Sequence, residues 1–336
     1  MNRVGENTIL FQNAPKILAG ASVVGPKEGA GPMGDTFDFV VGDALLGQSS
    51  YERAEQMIFQ DACRMALKKA NIAPSKTQAF LGGDLLNQIM AASLSARELK
   101  IPFLGLFGAC STMAESLLIG SILVDGGYCS PVVCAAGSHF CTAERQFRFP
   151  LEYASQRTPT AQWTVTGAGA VVLGQGEALA KVTSATIGRV VDLGVTDANN
   201  MGAAMAPAAA STIARHLSDT GTAPQDYDVI VTGDLGSVGS GLMREILLQY
   251  DVAMPEEKHM DCGVLMFDSA QDVHAGGSGC GCSATLLCSY ILPRIHRGEW
   301  RRVLFLATGA LMSTTTSQQG ESIPGVAHAL LLEGVR

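Results

Sequence analysis

The sequence predicts a duplicated α/β protein, because apolar strands alternate with helices, glycine is abundant and the chain repeats itself. It has 336 residues, more than one average domain of about 150 residues. Of these, 47% are hydrophobic and 16% charged, so a large buried core is available. The 38 glycines and 6% aromatic residues are typical of α/β proteins with tight turns and close backbone approaches.

The internal repeat has two registers. An apolar strand ends at Asp84, and a second apolar strand ends at Asp234, 150 residues later. Cys110 opens a helix-like run, and Cys282 opens a similar run 172 residues later. The larger offset implies an insertion of about twenty residues in the second half, around 238–273. Two coincident registers indicate a duplicated α/β unit.

Each half is expected to alternate strands and helices, with helices on both faces of parallel sheets. In the first half we predict strands at 8–18, 17–24, 77–82, 102–107 and 131–137, and helices at 52–70, 93–99 and 110–124. In the second half we predict strands at 229–232 and 303–309, and a helix start at 203–210 with Pro207 in its first turn. The boundary follows strand 169–173, which gives an N-terminal half of residues 1–178 and a C-terminal half of residues 179–336.

The composition excludes several classes of protein. The 23 basic and 31 acidic residues give a net charge of −8, which disfavours a nucleic-acid binder. No apolar stretch reaches the roughly 18 residues that cross a bilayer, and no secretory signal opens the sequence, so we expect a soluble chain. Nine cysteines without a Cys-x-x-Cys pair predict free thiols rather than a disulfide framework or a zinc site.

Cys110 is the main chemical candidate, since it lies at a predicted strand-to-helix turn. Unpaired N–H groups at a helix N-terminus favour negative charge, so the thiol is expected to titrate below its free value near 8.5. A nucleophile and a buried structural cysteine are equally compatible with this position. Cys282 has the same placement in the second half and is expected near the same cleft. His139 and His328 are candidates to activate Cys110, although either can be a structural histidine.

Longer motifs carry a resemblance to a known family. The stretches IPFLGLFGACSTMAES and TVTGAGAVVL resemble the thiolase superfamily. With GPKEGAGPMGDTFD, TAERQFRFPLEY, MGAAMAPAA and ESIPGVAHA, the chain resembles the stage V sporulation protein AD family over nearly its whole length. The resemblance implies a thiolase-like fold: two βαβαβαββ halves, with two mixed sheets in a layered αβαβα arrangement. It also implies homodimers that pair through a first-half strand.

The family resemblance further implies a function in endospores. The expected ligand is dipicolinic acid (pyridine-2,6-dicarboxylate), which is taken up during sporulation and released on germination. The expected partners are membrane proteins of the stage V sporulation A operon, with the chain in the cytoplasm and peripherally associated with the forespore or spore inner membrane. Neither a cofactor nor a metal site is expected, apart from calcium that accompanies the ligand.

The sequence departs from the catalytic pattern of thiolases. Condensing enzymes of this superfamily need His and Asn, or two His, to activate the thiol and polarise the thioester carbonyl. The loop that should carry His instead carries Asp234, and Cys280 lies nearest the expected Asn. An ionised carboxylate cannot donate to an oxyanion. Acyl transfer from an acyl-CoA to Cys110 is therefore the alternative function, and ligand binding is the preferred one.

A dicarboxylate requires donors at both ends and an apolar slot between them. The helix that begins at Cys110 offers N–H groups for one carboxylate. Arg145 and Arg148 offer cations, with Phe147 and Phe149 as walls for the ring; surface ion pairs are the alternative for both arginines.

Further polar residues complete the predicted ligand site. Asp84 and Asp234 end equivalent strands and either cap the following loops or hold calcium. Asn87 and Cys282 are additional candidates for ligand contact. A third interpretation, a structural adaptor with an unused pocket, also remains open.

Overall fold

The chain folds as fifteen strands and eleven α-helices within the residues that the computed structural model describes, 3–147 and 157–335. The strands are, in chain order, β1 Arg3–Val4, β2 Thr8–Leu10, β3 Lys16–Val24, β4 Phe39–Val40, β5 Ala79–Gly83, β6 Phe103–Gly105, β7 Val132–Ser138, β8 Trp163–Thr164, β9 Gly167–Gly174, β10 Ala180–Thr186, β11 Val229–Thr232, β12 His259–Asp261, β13 Gly277–Ser278, β14 Arg302–Ala310 and β15 Gly325–Glu333. The helices are α1 Pro26–Gly29, α2 Tyr51–Lys69, α3 Met90–Leu99, α4 Thr112–Asp125, α5 Phe140–Phe147, α6 Met201–Thr220, α7 Gly236–Leu247, α8 Cys262–Met266, α9 Cys280–Leu286, α10 Leu292–His296 and α11 Thr314–Gln318.

The sheet has the same strand order in both halves. The first half runs β6-β5-β7-β9-β3 and the second runs β12-β11-β14-β15-β10. If the five strands of each half are numbered along the chain, both orders are 3-2-4-5-1. Two residue pairs between β3 and β10, Ile17 with Ala180 and Lys16 with Lys181, join the halves. The two predicted mixed sheets are therefore present and meet at a short seam.

The helices form the predicted layers around this sheet. Helices α2 and α3 cover the outer face of the first half, and α6 and α7 cover the outer face of the second. Helices α4 and α9 lie between the halves: α4 packs on β14 and β15 as well as on β5 and β7, and α9 packs on β7 and β9. Three apolar clusters fill the spaces between layers, the largest around α4 and α9. The prediction that the nearly uncharged helix from Cys110 is central is confirmed.

Local sequence explains where the principal helices begin and end. The Ser50 side chain accepts from Arg53 N at 3.3 Å and caps the start of α2. Lys68 and Lys69 in the last turn of α2 interact favourably with the negative end of the helix dipole. Asn200 caps α6 by accepting from Ala203 N at 3.2 Å. Because this helix begins at Met201, Pro207 lies inside it, and the expectation that Pro207 is in the first turn was wrong.

Two further elements differ from the predicted ones. The strand predicted over 8–18 is broken into β2 and β3, because Ala14 has a positive φ of 40° and Pro15 has no N–H to donate. In the second half, α8 and β13 lie between β12 and α9; α8 falls inside the region where an insertion is predicted, and β13 follows that region. Among the described residues, the helices are each too short or too polar to cross a membrane.

Candidate functional site

A cleft of about 760 Å³, measured with its open mouth, lies over the N-terminal end of α4. Most of its wall is apolar, and several polar side chains also face it. The lining residues are Leu85, Phe107, Ala109, Cys110, Ala143, Glu144, Phe147, Gln162, Thr164, Ala198, Asn199, Met201, Met205, Ser278, Ala310 and Met312. Both halves contribute, so the duplication builds the cleft between its two copies.

Cys110 lies on a tight turn at the floor of this cleft. Ala109 has a positive φ of 49°, a conformation that costs energy for a residue with a Cβ. The turn is held by Ser111 Oγ, which donates to Gly108 O at 2.7 Å, and by Thr112 Oγ1, which donates to Ala109 O at 2.7 Å. Gly309 on β14 passes so close to Gly108 that a Cβ would not fit. The second half thus fixes the position of the cysteine.

The Cys110 thiol faces the carboxylate of Asp234. That carboxylate accepts from Thr308 Oγ1 at 2.7 Å, Gly279 N at 2.9 Å and Ser278 Oγ at 3.2 Å. Burial opposes the charge and hydrogen bonding stabilises it, and burial prevails, so the pKa of Asp234 is raised to about 6. Near neutral pH the cysteine therefore faces an anion.

The prediction that the Cys110 thiol titrates below its free value was wrong. Burial raises its pKa well above the ordinary value, and the negative charge of Asp234 raises it further. The thiolate is unfavourable here because it would be buried beside a carboxylate. The helix N-terminus lowers the pKa of the thiol by less than burial and the neighbouring charge together raise it. Cys110 is thus a poor nucleophile at neutral pH.

The other two cysteines of this region are buried behind the cleft. Cys280 Sγ donates to Ala109 O at 3.1 Å and helps to hold the turn of Cys110. Cys282 is fully buried in α9 and is not among the residues that line the cleft. The helix rotates it towards the core, so it does not repeat the placement of Cys110, contrary to expectation. Burial raises the pKa of both thiols.

Neither of the two candidate histidines lines the cleft at Cys110. His139 is buried, its Nε2 pairs with Ala44 O at 2.8 Å, and its Nδ1 accepts from Cys141 N at 3.1 Å. Because both ring nitrogens are used, its contacts are structural. His328 Nδ1 accepts from Gly188 N at 3.1 Å, and burial lowers its pKa to about 4. Within the described residues, no histidine lines the cleft.

Asp84 is buried and caps the loop that follows β5. Its Oδ1 accepts from Leu86 N at 2.8 Å and its Oδ2 from Ala92 N at 2.7 Å. Burial raises its pKa to about 6. Asn87 is exposed, and its N–H donates to Gln146 Oε1 at 3.0 Å. Neither residue lines the cleft.

Sequence reasoning missed Glu55, a buried carboxyl beside Asp84. Its Oε2 accepts from Thr142 Oγ1 at 2.6 Å, and the same hydroxyl lies 2.9 Å from His139 O. Burial raises the pKa of Glu55 well above 4.5 and the charge of Asp84 raises it further, whereas the Thr142 hydrogen bond opposes the shift.

Helix α5 presents Ala143, Glu144 and Phe147 to the cleft. Phe147 is thus where a wall for an aromatic ring was predicted. Arg145 points elsewhere: it pairs with Glu52 of α2, and 56% of its side chain is exposed, as the surface-pair alternative predicts. Arg148 and Phe149 lie outside the described residues.

The remaining lining residues were also missed by sequence reasoning. Gln162 donates from Nε2 to Asp234 O and Gly277 O, both at 2.8 Å, and so ties β8 to the cleft floor. Asn199, Met201 and Met205 belong to the start of α6 and the segment before it. Among the described residues, no cluster of three or more His, Cys, Asp or Glu side chains is arranged to hold a metal ion.

The repeated strand order and the cysteine before the central helix define a thiolase-like protein. Solved structures agree with this class: 3-oxoacyl-[acyl-carrier-protein] synthase III from Aquifex aeolicus VF5 is 14% identical and covers 95% of this chain and 100% of that one, with a TM-score of 0.58. Human mitochondrial 3-ketoacyl-CoA thiolase in complex with CoA is 12% identical and covers 96% and 98%, with a TM-score of 0.61. At these identities the likeness concerns the fold.

The family follows from two closer matches. The family model of Stage V sporulation protein AD (SpoVAD) matches residues 5–333. Stage V sporulation protein AD of Bacillus subtilis (strain 168) is 46% identical over 335 residues, which covers 99% of this chain and 98% of that protein. The chain belongs to the SpoVAD family, as its sequence motifs predict.

Proposed function

We propose that this chain binds dipicolinate in the cleft above Cys110 and catalyses no acyl transfer. The observation that carries this proposal is the position of the buried Asp234 carboxylate against the Cys110 thiol, where its negative charge opposes formation of the thiolate. It leaves a shaped pocket of the thiolase class without a reactive nucleophile. A pocket of this kind is suited to ligand binding.

Acyl transfer would require a thiolate and a donor for the thioester oxygen. The thiol instead has a raised pKa, and its partner at near-neutral pH is a carboxylate. Among the described lining residues no histidine is present to act as a base or donor. These three features disfavour the enzymatic alternative.

The shape and chemistry of the cleft support a flat aromatic acid. Phe107 and Phe147 provide aromatic walls, and Thr164, Asn199 and Ser278 bring polar side chains to the same space. Two carboxylates also require positive charge. Arg148 directly follows Phe147 in the sequence, so we propose that Arg148, and not Arg145, supplies it.

We also propose that two copies pair through β6. This strand forms one edge of the sheet, where unpaired N–H and C=O groups favour pairing with another strand. Leu104 is 49% exposed and Phe107 is 50% exposed on and beside it. A second copy would cover both side chains and would close the cleft on the side of Phe107.

Function in the spore would then depend on docking. We propose that the chain contributes the dipicolinate-binding component of the uptake and release machinery of the spore, at the forespore membrane with membrane proteins of the same operon. The oxygens of Asp84 and Asp234 already accept hydrogen bonds from the protein. We therefore propose that calcium is bound by the ligand and enters with it, and is not held by these two carboxylates.

Calorimetric titration of the full chain with dipicolinate tests the proposal, with isophthalate as a control that lacks the ring nitrogen. We expect one dipicolinate per chain and much weaker binding of isophthalate. Arg148→Gln should weaken binding at least tenfold, whereas the matched variant Arg145→Gln should leave it unchanged. Each titration is repeated with calcium.

The same preparation is assayed for hydrolysis and condensation of acyl-CoA thioesters. Thioester turnover that disappears in Cys110→Ala would overturn the proposal in favour of the enzyme. Failure of dipicolinate to bind with or without calcium would also overturn it.

A further inference from the structure

The floor of the cleft carries a buried charge without an ion-pair partner among the described residues. Asp234 accepts three hydrogen bonds, from Ser278, Gly279 and Thr308. All three are neutral donors. In such an environment, any further negative charge placed nearby raises the pKa of the buried carboxyl strongly.

The titratable groups packed around Asp234 are thiols and carboxyls. Cys110 approaches from the turn before α4, and Cys280 and Cys282 approach from α9. Asp261 at the end of β12 and Cys262 of α8 face it from the neighbouring strand. None of these can carry a positive charge.

The cleft above this floor is also without cationic side chains in its described part. Its charged lining residue is Glu144. A carboxylate that enters beside Cys110 therefore comes close to Asp234, which is itself buried from water. Two carboxylates so close cannot both stay ionised at low cost, and one of them takes up a proton.

We infer that the cleft takes up a carboxylate ligand together with one proton from solvent, and that Asp234 holds this proton. The inference rests on the proposed function and adds to it a dependence on pH. The ligand is held when the surroundings are acidic and released when they become alkaline.

The hydrogen bonds around Asp234 make this exchange possible. Protonation of one carboxylate oxygen turns it from an acceptor into a donor, so one of its hydroxyl partners must rotate. Ser278 is the partner that also lines the cleft. Its hydroxyl proton is then free to donate to the ligand carboxylate. Protonation of Asp234 and binding of the ligand are therefore coupled. The pKa of Asp234, about 6, makes the proton available at little cost.

Calorimetric titration with dipicolinate at pH 6, 7 and 8 tests the inference, in pairs of buffers that differ in ionisation enthalpy. The carboxyls of the ligand are ionised throughout this range. We expect binding about tenfold tighter at pH 6 than at pH 8, with net proton uptake at pH 8. Asp234→Asn should bind with an affinity that does not change with pH and that exceeds the wild-type affinity at pH 8.

A second variant covers the case in which Asp234→Asn does not fold. Thr308→Val removes one neutral donor from Asp234 and should move the pH dependence to higher pH. Binding that is independent of pH, or without proton uptake, would overturn the inference but leave the proposed function intact. Loss of the pH dependence in Glu144→Gln or Asp261→Asn, with Asp234→Asn unchanged, would overturn the assignment to Asp234. Absence of binding at every pH would contradict the proposed function itself.

Discussion

Asp84 and Asp234 end equivalent strands of the two halves, yet their surroundings give them different tasks. Both are buried, and burial raises the pKa of each to about 6. Asp84 accepts backbone N–H groups of its own half. Asp234 accepts hydrogen bonds from Thr308 of β14, Ser278 and Gly279, and it faces Cys110 of the other half. Both halves thus have a buried carboxyl at this position, which caps a loop in one half and faces Cys110 in the other.

The largest effect on stability is expected from Asp84→Ala. The variant leaves the N–H groups of Leu86 and Ala92 buried without acceptors, at about 1–3 kcal/mol each. Urea unfolding should show a loss of roughly 3 kcal/mol. Asp43→Ala is the matched control, since Asp43 makes two similar bonds, to Leu45 N and Leu46 N, in an exposed loop. A control loss as large as that of Asp84→Ala would contradict the assigned role.

Asp234→Asn should change the reactivity of Cys110. Removal of the negative charge lowers the pKa of the thiol, and alkylation of Cys110 by iodoacetamide at pH 8 should accelerate about tenfold for each unit of that change. Asp84→Asn should leave the rate unchanged. Equal acceleration in both variants would show that the two carboxyls act alike and would break the comparison.

Glu55→Gln tests the pH dependence that the buried acid beside Asp84 gives to folding. Because the pKa of Glu55 is raised above 4.5 in the folded protein, its contribution to stability is fully present below that pH and is lost as pH rises towards the folded value. The loss is about 1.4 kcal/mol for each unit of the shift. Urea unfolding at pH 5 and pH 8 should show a smaller decline for Glu55→Gln than for the wild type. An identical decline would exclude Glu55 as its source.

The smallest effect is expected from Arg145→Gln. The side chain is 56% exposed and pairs with Glu52 on the surface, and such pairs contribute less than about 1 kcal/mol. Thermal unfolding should move by no more than a few degrees. A larger shift would mean that α5 depends on this pair for its position over the cleft.

The fold could be predicted from the sequence because the residue patterns that define its strands and helices are local and occur in both halves. The strand predicted at 229–232 matches β11, and the one predicted at 303–309 differs from β14 by one residue at each end. Continuous apolar runs bounded by turn residues give such segments clear limits. The break between β2 and β3 was missed because it depends on a positive φ at Ala14.

The site was accessible only in part because its decisive contact joins residues far apart in sequence. The position of Cys110 before a helix was clear, but the Asp234 carboxylate that faces it belongs to the other half. A local helix argument therefore gave the wrong sign for its pKa. Glu55 could have been found, since it lies on the buried stripe of α2 with Ile58, Phe59 and Ala62. A carboxyl on an apolar stripe indicates a buried acid.

Protection of Cys110 by dipicolinate tests the central claim most directly, that the cleft is a ligand site and not a catalytic one. The extent of alkylation at Cys110 is followed by mass spectrometry at alkaline pH, with the partly exposed Cys129, which does not line the cleft, as the internal control. We predict that saturating dipicolinate slows labelling of Cys110 at least tenfold and leaves labelling of Cys129 unchanged. Equal labelling of Cys110 with and without bound dipicolinate would place the ligand elsewhere and contradict the account.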